Sequence, residues 1–323
     1  MLDRYQLRRE LHVGGTGALW LARERETREL VAARLGIGPV RSERAQREGR
    51  VLGRVEHAGI PRLVAQGDID GGWCVVAEHV DGAPLSKLLR VTSPAPPRAI
   101  AWTRQLTDAL VQLHAAGVVH SDLHPGNVIV ARDHAGRDRM VLVGFGIAAI
   151  DGERMERPAS PHTAAPEVVR GEPPTPLTDV YAIGVVLYRM LVERWPFMGT
   201  EHDVLQAQVG TPPPPLGRHT PALRLPPGLE ALVFRCLEKD PAERYPSAEA
   251  VGEALAELAF APHRDWVRVE GASEEITNSV APVTRESTPP PPPEEPIPVG
   301  VWIAVVLLGA LAGLAGLAWV YAG

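Results

Sequence analysis

Three groups of residues have types and spacings that could do chemistry. Asp122, a carboxylate able to take up a proton, stands five positions before the amide Asn127 in His120-Ser121-Asp122-Leu123-His124-Pro125-Gly126-Asn127. Gly14, Gly15 and Gly17 cluster in Leu11-His12-Val13-Gly14-Gly15-Thr16-Gly17-Ala18-Leu19. Glycine lets a backbone approach a ligand closely. The third group is Val31-Ala32-Ala33-Arg34, which puts a cation on a strand-like run, with Glu48 of Gln46-Arg47-Glu48-Gly49 as a carboxylate partner. Of the 33 basic residues only Lys87 and Lys239 are lysine, so no lysine before position 87 can take the place of Arg34.

The elements that must hold these groups change character along the chain. Strand-like runs at 5–7, 18–22, 30–35, 62–65 and 73–78 bracket one polar helix at 42–54. Helical periodicity then takes over. Pro97 opens a helix whose apolar face is Ile100, Leu106, Leu110 and Leu113, and Gly117 stops it. Further helices fit 179–192, 229–237 and 247–258. Strands first and helices afterwards predict an α+β architecture, a sheet lobe followed by a helical lobe.

The chain has 323 residues, room for one large domain, and a net charge of −6 with 45% hydrophobic and 22% charged residues. That balance excludes a basic nucleic-acid binder. Two cysteines, Cys74 and Cys236, exclude a disulfide scaffold and suit a reducing compartment. Early charges and the lack of an apolar run at the start argue against a signal peptide. Residues 299–322 are 24 positions without a charge, with Trp302 near one end and Trp319 and Tyr321 near the other. This pattern predicts a transmembrane helix. Ahead of it, 281–298 holds 8 prolines in 18 residues, so 263–298 reads as a proline-rich juxtamembrane linker. The expected layout is a globular domain at 1–262, the linker, and the span at 299–322.

Several motifs in the globular part share one precedent. Residues 120–127 resemble the catalytic loop of protein kinases, and 11–19 resemble their glycine-rich phosphate loop. Gly144-Phe145-Gly146 follows Val141-Leu142-Val143, and Ala165-Pro166-Glu167 closes a 24-residue segment. Thr178-Asp179-Val180-Tyr181-Ala182-Ile183-Gly184 and Arg244 of Asp240-Pro241-Ala242-Glu243-Arg244 come next. Over about residues 5–260 the chain resembles the eukaryotic-like serine/threonine protein kinases of bacteria. The resemblance implies an N-lobe at 1–77, a hinge at 78–82 and a C-lobe at 83–262. It implies a nucleotide site at Gly14, Gly17, Leu19, Ala32, Arg34, Glu48, Glu78, Val80 and Ile129. The adenine slot would lie between Val31 and Ala32 above, the hinge at one side, and Val128 and Ile129 below, with the small Ala77 at its back. Asp122 falls at the base position, Asn127 at a catalytic and metal-holding one, and Glu167, Asp179 and Arg244 at fold-keeping ones.

Four departures then bear on activity. Arg34 replaces the strand-3 lysine that holds the α- and β-phosphates, and its planar fork prefers a bidentate carboxylate. Gly144 replaces the aspartate that holds the metal, and glycine offers no oxygen to magnesium. His12 takes the place of the first loop glycine. Ser121 stands for the arginine beside Asp122, which removes control through a phosphate on the activation segment. His124 also replaces a lysine.

These features predict a membrane-tethered pseudokinase, a regulatory or scaffolding module that binds ATP weakly with little help from magnesium. Asn127 is left as a weak metal ligand. The alternative is an active kinase that transfers the ATP γ-phosphate to protein serine or threonine. A third reading is a structural membrane protein with a vestigial pocket. Expected partners are a nucleotide, a protein partner or substrate, and the lipid bilayer, but no nucleic acid. Gly309 and Gly313, with Ala312 and Gly316 beside them, predict a homodimer through the span. The expected location is the cytoplasmic (inner) membrane, single-pass, with the kinase-like domain in the cytoplasm.

Overall fold

Period-two alternation builds the N-terminal lobe. In the computed structural model, which describes residues 2–153, 160–218, 220, 224–259 and 267–268, five strands form one antiparallel sheet. They are β1 (Tyr5–Gly14), β2 (Gly17–Glu24), β3 (Leu30–Ile37), β4 (Leu63–Ile69) and β5 (Gly72–Glu78), in the order β1-β2-β3-β5-β4. Val31 and Ala33 of β3 join Tyr5, Ala22, Cys74 and Val76 in an outer cluster. Ala32 and Arg34 therefore face the opposite side. On that side lies α1 (Pro39–Leu52), which buries Ala45, Glu48, Gly49, Val51 and Leu52. The helix opens three residues before the predicted start. Gly38 turns the chain at φ 83°, and Pro39 fits the first helical turn with its φ already set.

The second lobe is mainly helical. After β6 (Gly82–Pro84) and α2 (Leu85–Leu88) comes α3 (Pro96–Ala115), then β7 (Val118–Val119), β8 (Val128–Arg132), β9 (Asp138–Leu142) and β10 (Ala149–Ile150). Next are α4 (Pro166–Val169), α5 (Pro176–Val192), α6 (Glu201–Gly210), β11 (Arg224–Leu225), α7 (Leu229–Cys236), α8 (Ala248–Ala259) and β12 (Val267–Arg268). A small sheet, β6-β8-β9, lies at the inner edge of this lobe, and β7 pairs with β10. Ile100, Leu106, Leu110 and Leu113 of α3 enter the same core as Val180, Ile183 and Leu187 of α5. Fourteen of the 17 residues of α5 are buried, so it runs through the lobe rather than over it. The Thr175 capping box and Pro176 start it three residues earlier than periodicity alone suggests. Helix α6 escaped the sequence reading because only Val204 and Gln208 are buried on it, which leaves no apolar stripe.

The chain divides after Ser273, and every described residue belongs to the part before it. Two residues of the predicted linker, Val267 and Arg268, instead pair with β11 as part of the folded lobe. The apolar run 299–322 lies outside the described residues. Among those described, no helix is long and apolar enough to cross a membrane.

Candidate functional site

The glycine-rich segment is shorter as a loop than the sequence suggests. β1 and β2 pair as far as Gly14 and Gly17, so only Gly15 and Thr16 make the turn, and His12 lies within β1 opposite Leu19. Gly17 has φ 108°, a conformation that favours glycine. His12 is exposed, and its ring lies against Gly14. A Cβ on Gly14 would stand 2.8 Å from His12 Nε2.

Arg34 sits across from Leu19 on the neighbouring strand and is 8% exposed. Its Nε forms an ion pair with Glu48 Oε2, and its Nη1 donates to Thr16 Oγ1 at 2.8 Å. From α1, Arg44 Nη1 donates to Gly15 O at 3.0 Å. Thr16 Cγ2 reaches toward Gly146, where an added Cβ would meet it at 2.7 Å. The turn is thus pinned from β3 and α1 and rests on the Gly144-Phe145-Gly146 segment. The guanidinium that should meet phosphate is already bound to a carboxylate and a hydroxyl of its own chain.

Asp122, Asn127 and Gly144 come together on the other side of the cleft. Asn127 Nδ2 donates to Asp122 O at 2.9 Å and to Asp122 Oδ2 at 3.0 Å. Gly144 is left-handed at φ 87°, ψ 39°, and a Cβ there would stand 2.5 Å from Asn127 Oδ1. His124 Nδ1 accepts from Gly126 N at 3.0 Å, so the neutral ring carries its proton on Nε2, 3.7 Å from Asp122 Oδ2. Burial pushes its pKa below the ordinary histidine value, against the opposing pull of Asp122. Asp122 Oδ1 is buried and has no hydrogen-bond partner among the described residues. Beside it is a cavity of about 10 Å³, lined in part by Ser160, Thr163 and Asp179 and large enough for about one water molecule.

This donor set does not fit magnesium. Gly144 supplies no side-chain oxygen, and Asn127, whose Nδ2 donates to Asp122, supplies one neutral oxygen, Oδ1, toward Gly144. Among the described residues no cluster of three His, Cys, Asp or Glu side chains could hold a metal.

Toward the hinge, strand alternation corrects two expectations. Val31 belongs to the outer cluster and Val128 to the main core, because each points away from the cleft. Their neighbours Ala32 and Ile129 are half-buried, as is Val80 in the hinge. The Glu78 side chain accepts from Arg139 Nη2 at 3.0 Å, and its backbone N donates to Arg62 O at 2.9 Å. Ala77, 8% exposed, closes the back of this apolar strip.

Sheet lobe, hinge, catalytic-type loop and buried α5 follow one another over residues that match the protein kinase domain family, 5–255. This chain is a protein kinase family member. Among similar proteins is serine/threonine-protein kinase PkaA of Streptomyces coelicolor, 34% identical over 87% of this chain and 54% of its own length. Serine/threonine-protein kinase PknE of Mycobacterium tuberculosis is 32% identical over 91% of this chain and 53% of its own length. Serine/threonine-protein kinase pkn2 of Myxococcus xanthus is 33% identical over 78% of this chain and 32% of its own length. The chain thus belongs among the bacterial eukaryotic-like serine/threonine kinases, and it spans from about a third to about half the length of these curated relatives.

Within the kinase domain, three buried residues tie the helical lobe together. The Asp179 carboxylate accepts from His120 N at 2.8 Å, from Ser121 N at 2.9 Å, and meets His114 Nε2 at 2.9 Å. These bonds hold Ser121 at φ 65°, left-handed for a residue with a side chain. Arg244 meets Glu167 through two bonds, Nη1 to Oε1 at 2.9 Å and Nη2 to Oε2 at 2.7 Å.

Sequence reasoning missed Thr16, Arg44 and Arg47. Arg47 donates to Ala148 O at 2.9 Å and pairs with Glu153, and Arg54 pairs with Asp151, so α1 is clamped to the segment after Gly146. The dense arginines of 41–54 were the available signal, but nothing local named their partners.

Proposed function

We propose that this kinase domain is a pseudokinase that binds nucleotide weakly, without magnesium, and acts as a regulatory or scaffolding module. The observation that carries the reading is Gly144. The position where the family needs a metal-holding carboxylate has no side-chain oxygen, and the neighbouring Asn127 offers one neutral oxygen while its Nδ2 donates to Asp122. Protein kinases in general use ATP with magnesium, which bridges and neutralises the transferred phosphates. The bond from Arg34 to Thr16 supports the same reading, since it turns the guanidinium onto the glycine turn, whereas the ion pair with Glu48 is one that active family members also make. The apolar strip of Ala32, Ala77 and Ile129 remains for an adenine base.

Thermal-shift titration with ATP, with and without magnesium, tests this. The expected result is a small stabilisation that magnesium leaves unchanged, and no phosphate transfer above that of Asp122→Asn. A large magnesium-dependent stabilisation, or transfer abolished by Asp122→Asn, would instead establish an active kinase. One feature favours that second reading: Asp122 Oδ1 is unpartnered and borders a cavity of one-water size.

The uncharged run 299–322 supports anchoring in the cytoplasmic membrane, with the kinase domain in the cytoplasm. Alkaline extraction should leave the chain with the membrane, and protease outside intact cells should spare the domain; release or digestion refutes the placement. The glycine pair at 309 and 313 supports pairing of two spans. Gly313→Ile should lower the signal in a membrane two-hybrid assay, and an unchanged signal removes this seam.

A further inference from the structure

Away from the cleft, a groove of about 670 Å³ lies between the segment after α5 and the run Pro212-Pro213-Pro214-Pro215 after α6. Its volume is within the range of about 300–1,000 Å³ that holds a drug-sized ligand, so it admits a few residues of extended chain. Trp195, Phe197 and Met198 form an apolar wall, and Met198 is 65% exposed. The charged lining residues are Arg194 and Arg218, and among the described residues neither side chain has a hydrogen bond or an ion pair. More cations back the aromatic wall. Lys239 Nζ stands 4.5 Å from the Phe197 ring centroid, and the Arg189 guanidinium 5.7 Å from that of Trp195. No carboxylate lines the groove among the described residues.

Two unpaired cations at an aromatic and prolyl groove call for an occupant that is both anionic and apolar. Aromatic-lined grooves take polyproline segments because such segments are already extended and lose little entropy on docking. A nucleic acid is disfavoured, because its binding needs many phosphate contacts on a basic surface, and this chain carries a net charge of −6.

We propose that the groove docks an extended, acidic, proline-rich segment of a partner protein. Its prolines would lie on Trp195 and Met198, which the buried Phe197 backs, and its carboxylates on Arg194 and Arg218. The wall is also built onto the segment next to the candidate site. Trp195 stacks on His162 with centroids 4.8 Å apart at 4°, and Gln208 Nε2 donates to the carbonyls of Pro161 and His162. A bound segment would therefore press on the stretch that carries Thr163 beside Asp122. The proposal names a partner for the scaffolding reading above, but the binding itself does not depend on whether the domain transfers phosphate.

Residues 289–298 of this chain, five prolines followed by Glu294, Glu295, Pro296, Ile297 and Pro298, have the required chemistry and supply the probe. A fluorescent synthetic peptide of this sequence is titrated by anisotropy into the full chain, natural and with Glu294→Gln and Glu295→Gln; equal affinity for the two is expected, and tighter binding to the variant overturns the assignment to a partner protein. Saturable binding is expected, weakened about tenfold by Arg194→Ala with Arg218→Ala, by raised salt, and by a peptide with glutamine for both glutamates. Met198→Asp should weaken it similarly, and Arg54→Ala, outside the groove lining, should leave it unchanged. All three groove positions are exposed, and melting curves confirm that the variants fold; the arginine pair decides if Met198→Asp does not. No saturable binding below about 1 mM, or equal binding by every groove variant, overturns the proposal. Equal displacement by an oligonucleotide overturns the assignment to a peptide.

Discussion

Gly144→Asp puts a carboxylate where the family holds its metal, and the structure sets what that does before any metal binds. An L-residue at φ 87°, ψ 39° costs about 1–2 kcal/mol relative to a right-handed conformation, toward the low end for aspartate. The new Cβ would stand 2.5 Å from Asn127 Oδ1 and 2.6 Å from its Cγ, so Asn127 must swing away. Its bonds to Asp122 O, 2.9 Å, and Oδ2, 3.0 Å, are then lost. A neutral hydrogen bond contributes about 0.5–1.5 kcal/mol and one to a charged group about 1.5–3 kcal/mol. Asn127 recovers part of this from water, so a net loss of about 2–4 kcal/mol is expected. At about 2–4 °C per kcal/mol for a domain of this size, the metal-free variant should melt about 4–16 °C below its parent. Magnesium with ATP should reverse the loss, because the introduced carboxylate and the Asn127 oxygen then face one cation. Adding Arg34→Lys releases Thr16 and the glycine turn, and phosphate transfer should rise about a hundred- to a thousand-fold, the usual weight of one preorganised charge stabiliser. Thermal melts with and without magnesium and a radiolabelled transfer assay read both effects. A metal-free variant that melts with its parent refutes the steric argument. A double variant that magnesium neither stabilises nor activates refutes the assignment of the lesion, and His12 becomes the next candidate.

Other perturbations separate buried from exposed electrostatics. Arg244→Met leaves Glu167 buried without its partner and should cost about 3–5 kcal/mol in urea unfolding, and a loss under 1 kcal/mol would show that the pair is not structural. Arg54→Ala removes a pair with Asp151 that is largely exposed, so the same assay should show less than about 1 kcal/mol. Burial pushes the Glu167 carboxyl up, but the Arg244 bonds and the Thr178 hydroxyl hold it below its ordinary value of 4.5. The unfolded chain then takes up that proton first as pH falls, so stability should be level above about 4.5 and decline below it. Asp138, lowered by its bond to Arg98, adds to the same slope, and a domain that gains stability on acidification would contradict both.

Much of this architecture was legible in the residues. Alternation at 30–35 and 73–78 marked the sheet, and Ile100, Leu106, Leu110 and Leu113 marked α3, because one-sided burial leaves a periodic trace. Where burial is two-sided or slight the trace fails: α6 buries little and went unread, while α5 was read short because a capping box sets its start. At the site, the order of motifs named candidate positions, but not which way each neighbour points. Val31 and Val128, read into the adenine slot, turn into separate cores one residue away from the half-buried Ala32 and Ile129.

What the sequence by itself determined is chemical content. Gly144 has no side-chain oxygen in any conformation, Arg34 cannot become a compact ammonium, and Asp122 remains a carboxylate. The tertiary structure decided how those groups are used. Long polar side chains choose partners only after the backbone has brought distant segments together. Arg34 therefore reaches Thr16 across the sheet, and Asn127 closes on Asp122 in the space that the missing Cβ of Gly144 leaves open. Arg194 and Arg218, 24 positions apart, line one groove only because α5, α6 and the proline run after them pack against each other. Periodicity records which face of an element is buried. It carries no record of contacts between segments far apart in the chain.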